Sequence, residues 1–282
     1  MVVIVTGANG QLGKALQHIA PDSANLQFHF YASTNIDITQ RETIELVWQQ
    51  LKPDFCINAA AYTAVDKAEA EPDKAKRINV DGARNLAEVC RTFNTTLLHI
   101  STDFVFDGKQ SVPYTETDNT NPQSVYGVTK RDGELAIADT MQKYFIIRTS
   151  WLYSQFGNNF MKTMLRLAQE RGALSVVDDQ IGTPTHAIDL AQMIVNIIQS
   201  KSNDYGIYHF SNAGSTSWYG FAKKIFELNG VSINLSPIPT IQYPTPAKRP
   251  EYSVLDTSKI KKIFMVQITN WDVALEKYTN RI

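Results

Sequence analysis

Two patterns of hydrophobic and polar positions alternate along the first half of the chain. Short unbroken apolar runs end in small or polar residues, and longer stretches between them place apolar residues three and four apart. Met1–Thr6 reads MVVIVT, the kind of run that a parallel strand buried on both faces requires. Similar runs predict strands over Leu26–Tyr31, Asp54–Asn58, Thr96–Ser101 and Tyr144–Thr149. Helical spacing fills the gaps. One helix runs through Leu16 and Ile19. A second is opened by a Thr39–Glu42 capping box and continues through Trp48 and Leu51. A third extends from about Pro72 to Phe93 and carries Ile78, Leu86 and Val89. A loop rich in Pro, Asp, Asn and Thr at 107–122 precedes a helix that holds Tyr126 and Lys130. Strands alternating with helices predict an α/β chain built on a Rossmann-type, doubly wound parallel sheet.

The alternation weakens after Trp151. Helices are expected over Asn158–Gly172 and Ile188–Ile198, and a strand over Gly206–Ser211. Pro237, Pro239, Pro244, Pro246 and Pro250 crowd the region that follows and suit a small lobe with long loops. The expected division is a dinucleotide-binding domain over residues 1–150, with 182–210 returning to it. Residues 151–181 and 211–282 form a smaller C-terminal substrate-binding lobe. Right-handed crossovers place the ligand crevice at the carboxyl ends of the strands. The loops Gly7–Gly13, Ala59–Thr63, Ser101–Asp103 and Thr149–Tyr153 all fall there.

Those loops carry the candidate chemistry. GANGQLG follows the first strand directly and places Gly7, Gly10 and Gly13 at G-x-x-G-x-x-G spacing, unlike the G-x-G-x-x-G of most Rossmann dehydrogenases. Gly7 permits the tight turn, Gly10 lets the backbone approach a pyrophosphate, and Gly13 lets the helix pack close on the sheet. The amides and dipole of the helix N-terminus favour the same anion. Tyr126 and Lys130 lie one helical turn apart in SVYGVTK, on one face. A cation beside a phenol is expected to lower its pKa from about 10 towards neutrality, where it exchanges a proton with a carbonyl oxygen. Thr102 and Ser101, at the end of a strand, compete as the hydroxyl that bonds a substrate carbonyl. Asp103 either orients a substrate hydroxyl or caps its loop. Ala59, Ala60 and Ala61 are small enough to let a flat cofactor approach, and equally ordinary as core residues.

Composition narrows the setting. Twenty-seven Lys and Arg against 28 Asp and Glu give a net charge of −1, with no footprint for nucleic acid or an anionic membrane. No stretch approaches the roughly 20 apolar residues of a membrane span, and no targeting segment precedes the first strand. Cys56 and Cys90 read as small buried hydrophobes, not a disulfide or metal site. A cytoplasmic enzyme or binding protein is the expectation.

Several longer strings add a resemblance. GANGQLG, NAAAYTAVDKAE, INVDGARNLA, STDFVFDG, YGVTK, RTSWLY, NNF, DDQIGTPT and KRPEYSVLD span residues 4 to about 257. With them the chain resembles the extended short-chain dehydrogenase/reductases, and within them the dTDP-4-dehydrorhamnose reductase family. GxxGxxG and YxxxK belong to the broad superfamily; STDFVFDG, RTSWLY and DQIGTPT are far more specific. The resemblance implies reduction of a 4-keto sugar nucleotide by NADPH or NADH, the last step of dTDP-L-rhamnose synthesis. Tyr126 would be the proton donor, Lys130 its electrostatic partner, and Thr102 the hydroxyl that sets the carbonyl geometry. Gly10, Gln11 and Leu12 would lie along the dinucleotide phosphates, Asp37 and Ile38 near the adenosine half, and Ala61, Tyr62 and Thr63 along the cofactor. Thr102, Asp103, Tyr126 and Trp151 would contact the sugar, and Arg249 its phosphates. Some relatives carry a glutamate after the third glycine, tied to a magnesium site at a dimer interface. Lys14 and Ala15 stand there instead, so no metal site and a monomer are expected. Ala32, Ser33 and Thr34 occupy the position that reads the ribose 2′-group, with neither acid nor arginine adjacent; the lean is towards NADPH. The competing functions are a nucleotide-sugar epimerase or dehydratase of the same superfamily, and a nucleotide-binding regulatory subunit without turnover.

Overall fold

The fold was taken from a computed structural model, which describes residues 1–23 and 25–279. Strands β1 (Val2–Thr6), β2 (Gln27–Tyr31), β3 (Phe55–Asn58), β4 (Thr96–Thr102) and β5 (Tyr144–Thr149) form one parallel sheet with a sixth strand, Gly206–His209. The order across the sheet is Gly206–His209, β5, β4, β3, β1, β2. The chain moves outward from β1 to β2, then crosses to β3 on the other side of β1. That reversal splays the loops after β1 and β3 apart and opens a crevice at their carboxyl ends.

The unbroken apolar runs are explained by burial on both faces. Val3 and Val5 of β1 pack on one side with Leu12, Ala15 and Leu16 of helix α1 (Gln11–Ile19). Ile4 faces the other side, against Ile44 and Trp48 of α2 (Arg41–Leu51). The turn from β1 into α1 needs Gly7, which sits at φ +73°, where a Cβ would lie 2.5 Å from the Ala59 carbonyl carbon.

Two local expectations are corrected. The Thr39–Glu42 capping box does not form. Gln40 occupies the cap of α2 without a side-chain bond, and the Thr39 hydroxyl donates instead to Asp37 Oδ1 at 2.8 Å. A local side chain–side chain bond outcompetes the cap. The single helix expected over 72–93 is preceded by α3 (Val65–Ala68) and interrupted. It comprises α4 (Pro72–Lys76), a π turn over Arg77–Asp81, and α5 (Gly82–Thr92). The π turn brings Asn79 inward. Its Oδ1 accepts from the Tyr62 amide at 2.8 Å, and its Nδ2 donates to Thr129 Oγ1 at 3.0 Å. Hydrophobic spacing carries no sign of one extra residue in a turn.

Helix α6 (Val125–Thr140) carries Tyr126 and Lys130. Helix α7 (Phe160–Glu170) starts at Asn159 and ends before a strand, Ala173–Val177. Helix α8 (Ala187–Ser200) packs against α1 on the sheet. A further helix, α9 (Trp218–Leu228), was not foreseen. Nor was the parallel pairing of Ala173–Val177 with Asn234–Ile238. Together they enclose a second core around Tyr153, Met161, Phe221 and Ile225. Helices α10 (Ser258–Phe264) and α11 (Trp271–Thr279) complete the described chain. Among the described residues, no helix is long and apolar enough to cross a membrane. Cys56 and Cys90 are both buried and free.

Candidate active site

Strand β4 ends with its last two hydroxyls on opposite faces of the sheet, as strand pleating dictates. Ser101 points towards α6, where its hydroxyl bonds Glu134. Glu134 is in turn gripped by Arg148 of β5, both carboxylate oxygens engaged and both residues buried. Thr102 turns away from Glu134, towards the start of α6. Its hydroxyl donates to Asp103 Oδ1 at 3.0 Å and accepts from the Phe104 amide at 3.2 Å. The two candidates thus meet different turns of α6: Ser101 joins the buried ion pair at Glu134 and Thr102 meets Tyr126 in the first turn.

Tyr126 reaches this point because α6 starts one residue earlier, capped by Ser124, which accepts from the Gly127 amide at 3.2 Å. Gly127 then lets the helix press on the turn after β4, since a Cβ there would lie 2.3 Å from the Phe104 carbonyl oxygen. The Tyr126 ring stands edge-on to Phe104, centroids 5.6 Å apart. Burial pushes its phenol up to about 12, with the Thr102 hydroxyl pulling down and the Asp103 charge adding upward. Burial outweighs the lowering expected from a cation, and Lys130 makes its own contacts away from the phenol. Its Nζ donates to the Ile100 carbonyl at 2.6 Å and lies 3.2 Å from His99 Nε2. Burial brings Lys130 down to about 8, against the pull of Glu134. Asp103 is 2 % exposed, and burial raises it to about 6 against the pull of the Ser253 and Thr102 hydroxyls.

The crevice between β1 and β3 holds a cavity of about 340 Å³. Gly7, Gly10, Ser33, Asp37, Ile38 and Ala61 are among its lining residues. Its walls suit the adenosine half of a dinucleotide. Ala59 to Ala61 and Ile78 offer a flat apolar slot, and the Asp37 carboxylate stands at the rim, tied to Thr39. Helix α1 opens at Gly10 with no side-chain cap and no acid in its first turn. Its first amides are thus left for an anion. Ala32 and Ser33 line the cavity and bring no carboxylate.

Other expected residues are placed differently. The side chain of Gln11 does not face the cavity. It donates to the Leu152 carbonyl at 3.2 Å and accepts from Ser154 Oγ at 3.1 Å and Asn159 Nδ2 at 2.9 Å. Leu12 and Gly13 are buried under the loop. The Tyr62 ring turns outward, with its hydroxyl on Glu71 and Lys74 over its face, and Thr63 is exposed. Trp151 sits at φ +46°, uncommon for a bulky residue. Its indole stacks on Trp218 at 3.5 Å and lies against Gly182. Trp218 was missed in the sequence; an aromatic opening a helix just after Ser217 was the available signal. The Arg249 guanidinium is taken by Asp66 of α3 at 3.0 and 2.8 Å, and by Thr245 Oγ1 at 2.6 Å.

Comparison with known proteins agrees with this geometry. The family model described as RmlD substrate binding domain matches residues 1–282. The dTDP-4-dehydrorhamnose reductase of Aggregatibacter actinomycetemcomitans is 42% identical over 285 residues, covering 97% of each chain. That of Escherichia coli K12 is 39% identical, covering 100% of this chain and 98% of the relative. The crystal structure of dTDP-4-dehydrorhamnose reductase from Bacillus anthracis in complex with NADP superposes with a TM-score of 0.96 at 42% identity, covering 100% and 99%. The chain belongs to the RmlD substrate-binding-domain family, alongside these reductases.

Proposed function

We infer that this chain reduces dTDP-4-dehydro-β-L-rhamnose to dTDP-L-rhamnose, using NADPH or NADH. The observation that carries the reading is full-length similarity to the reductases joined to a complete Thr102, Tyr126 and Lys130 set at the carboxyl end of β4. The bound nicotinamide would supply the hydride. The protein's own residues do the rest. Gly10 and the opening of α1 hold the phosphates, and the slot of Ala59 to Ala61 with Asp37 and Ile38 holds the adenosine half. Backbone groups of Gln11 and Leu12, not the Gln11 amide, line the pyrophosphate. Thr102 and Tyr126 present hydroxyls to the C4 oxygen. Tyr126, kept protonated across the neutral range, gives its proton to the new alkoxide, a transfer worth roughly 10²–10⁴-fold in rate. Lys130, as the ammonium it still is below about pH 8, balances the phenolate that remains. Asp103 and Trp151 contact the sugar. Arg249 exchanges Asp66 for a phosphate of the nucleotide, since a guanidinium fork fits both groups.

Residues 1–150 with 182–210 carry the cofactor in this reading, and 151–181 with 211–282 form the lobe over the sugar nucleotide. Lys14 in place of an acid after Gly13 argues for a monomer without a bridging metal.

The test is oxidation of NADPH and of NADH by the purified protein with enzymatically prepared dTDP-4-dehydrorhamnose, the product identified by NMR. One nicotinamide consumed per dTDP-L-rhamnose formed is the expected result. A changed sugar with no net consumption would assign an epimerase or dehydratase instead.

A further inference from the structure

Behind Lys130 runs a chain of hydrogen bonds whose direction follows from one backbone amide. The Ala60 N–H can only donate, and it meets Asn58 Oδ1 at 3.1 Å. Thr6 Oγ1 donates to the same oxygen at 2.8 Å. The Asn58 carboxamide is therefore fixed, because a flipped amide would set Nδ2 against the Ala60 N–H. Its Nδ2 faces His99 Nδ1 at 3.0 Å. Nδ2 is a donor, so Nδ1 of the imidazole accepts and carries no proton. The imidazole proton then resides on Nε2, which lies 3.2 Å from Lys130 Nζ. An N–H is aimed at the lysine nitrogen. A neutral amine has a lone pair to receive it, whereas an ammonium has only donors. In either state Nζ keeps an N–H for the Ile100 carbonyl. Thr6, Asn58, His99 and Lys130 are each 2 % exposed or less, so water does not soften the mismatch.

We propose that His99 is a positioning residue for the reaction: locked by Asn58 as the Nε2–H tautomer, it presents a donor to Lys130 Nζ and biases that nitrogen towards the neutral amine. The pH at which Lys130 changes charge is then set by the Asn58–His99 arrangement as well as by burial. The other groups around Nζ do not supply this bias. On α6, Tyr126 lies one turn back and Glu134 one turn on. The Glu134 charge favours the ammonium, but Arg148 of β5 already holds both its oxygens. After β4, Asp103 acts on Tyr126. Glu69, which follows α3, accepts from the Val125 amide at the start of α6. The π turn faces α6 with uncharged Asn79. His99 is held well below its usual range by burial and then by the Lys130 charge, which agrees with a neutral ring.

The proposal deepens the reading of Tyr126 as proton donor, so one arm of its test does not depend on turnover. The ¹⁵N-histidine-labelled protein without ligands is examined by long-range ¹H–¹⁵N NMR from pH 6 to 9. His99 is expected as the neutral Nε2–H tautomer throughout; an Nδ1–H tautomer or an imidazolium overturns the proposal, whether or not the protein proves to be a reductase. The second arm is His99→Gln, whose Oε1 can accept from an ammonium. The ¹³Cε resonance of Lys130, assigned by its loss in Lys130→Met, is expected to titrate roughly one pH unit or more higher than in the wild type. The basic limb of the kcat profile should move the same way. An unmoved or lowered midpoint overturns the proposal. If His99→Gln does not fold, the wild-type tautomer still decides it.

Discussion

Tyr126 and Asp103 are neighbours that burial treats in the same sense, and each carries a test. Tyr126 is raised to about 12, which makes it a proton donor at rest and not a base. Tyr126→Phe is expected to keep the dissociation constant for NADPH within about twofold and to lose roughly 10²–10⁴ in kcat. Fluorescence titration and steady-state rates measure both, and near-wild-type turnover would remove Tyr126 from its role. Asp103 is raised to about 6 in the folded chain, from about 3.9 unfolded. Between those values the folded state binds more protons than the unfolded one. Stability therefore falls as pH rises from about 4 to about 6 and levels off above. The loss is on the order of 2–3 kcal/mol. Asp103→Asn should remove most of that slope and stabilise the protein at pH 8, as read by urea unfolding at several pH values. A native carboxylate kept despite that cost is consistent with a functional role.

Helix α6 is the element on which the site depends, and contacts in its first two turns hold it. Its first turn presses on the turn after β4 at Gly127, and Asn79 of the π turn ties the next turn at Thr129. Gly127→Ala places a methyl against the Phe104 carbonyl, so the helix must withdraw. A destabilisation of about 1–3 kcal/mol is expected from such overpacking. Because Tyr126 moves away from Thr102, kcat should drop by an order of magnitude or more while NADPH binding at α1 is retained. Equal losses in kcat and in cofactor affinity would mean that the change spreads beyond α6. The π turn shows why the element was harder to read than the residue. Leu86 and Val89 keep their helical spacing on either account, and the extra residue appears only in where Asn79 points.

Across the whole molecule, the sheet and the second core meet through polar side chains. Gln11, at the start of α1, is bonded to Leu152, Ser154 and Asn159 of the lobe. Gln11→Ala is expected to cost about 1–3 kcal/mol by leaving those partners unsatisfied. It should also raise KM for the sugar nucleotide more than KM for NADPH; the opposite order would return Gln11 to the phosphates. The Asp66–Arg249 pair crosses from α3 to the loop at 245–249, with 40% and 26% of the two side chains exposed. Solvent at that exposure leaves an ion pair worth no more than about 1 kcal/mol, weak enough to be exchanged for a phosphate. For the assembly, light scattering is expected to give a monomer of 31.7 kDa, unchanged by EDTA. A dimer that EDTA dissociates would contradict the reading of Lys14.

Much of this molecule was determined by its sequence alone, because the responsible forces are local or periodic. Apolar runs bounded by small residues specify strands buried on both faces. Three glycines after the first of them specify a turn that no side chain fits, and Tyr126 with Lys130 marks one helical face. What the tertiary structure decided is which partners those groups meet. Ser101 and Thr102 are adjacent in the chain, and only the pleat of β4 and the approach of α6 tell them apart. Lys130 bonds Ile100 and faces His99 because α6 packs on β4, and the same packing buries Tyr126, which is raised and not lowered. Gln11 turns to Leu152, Ser154 and Asn159, and Arg249 to Asp66, partners more than a hundred residues away in sequence that no local pattern announces. Periodicity reports which face of an element is buried. It does not report the hydrogen bonds and charges that a distant segment brings to that face, and those set the chemistry.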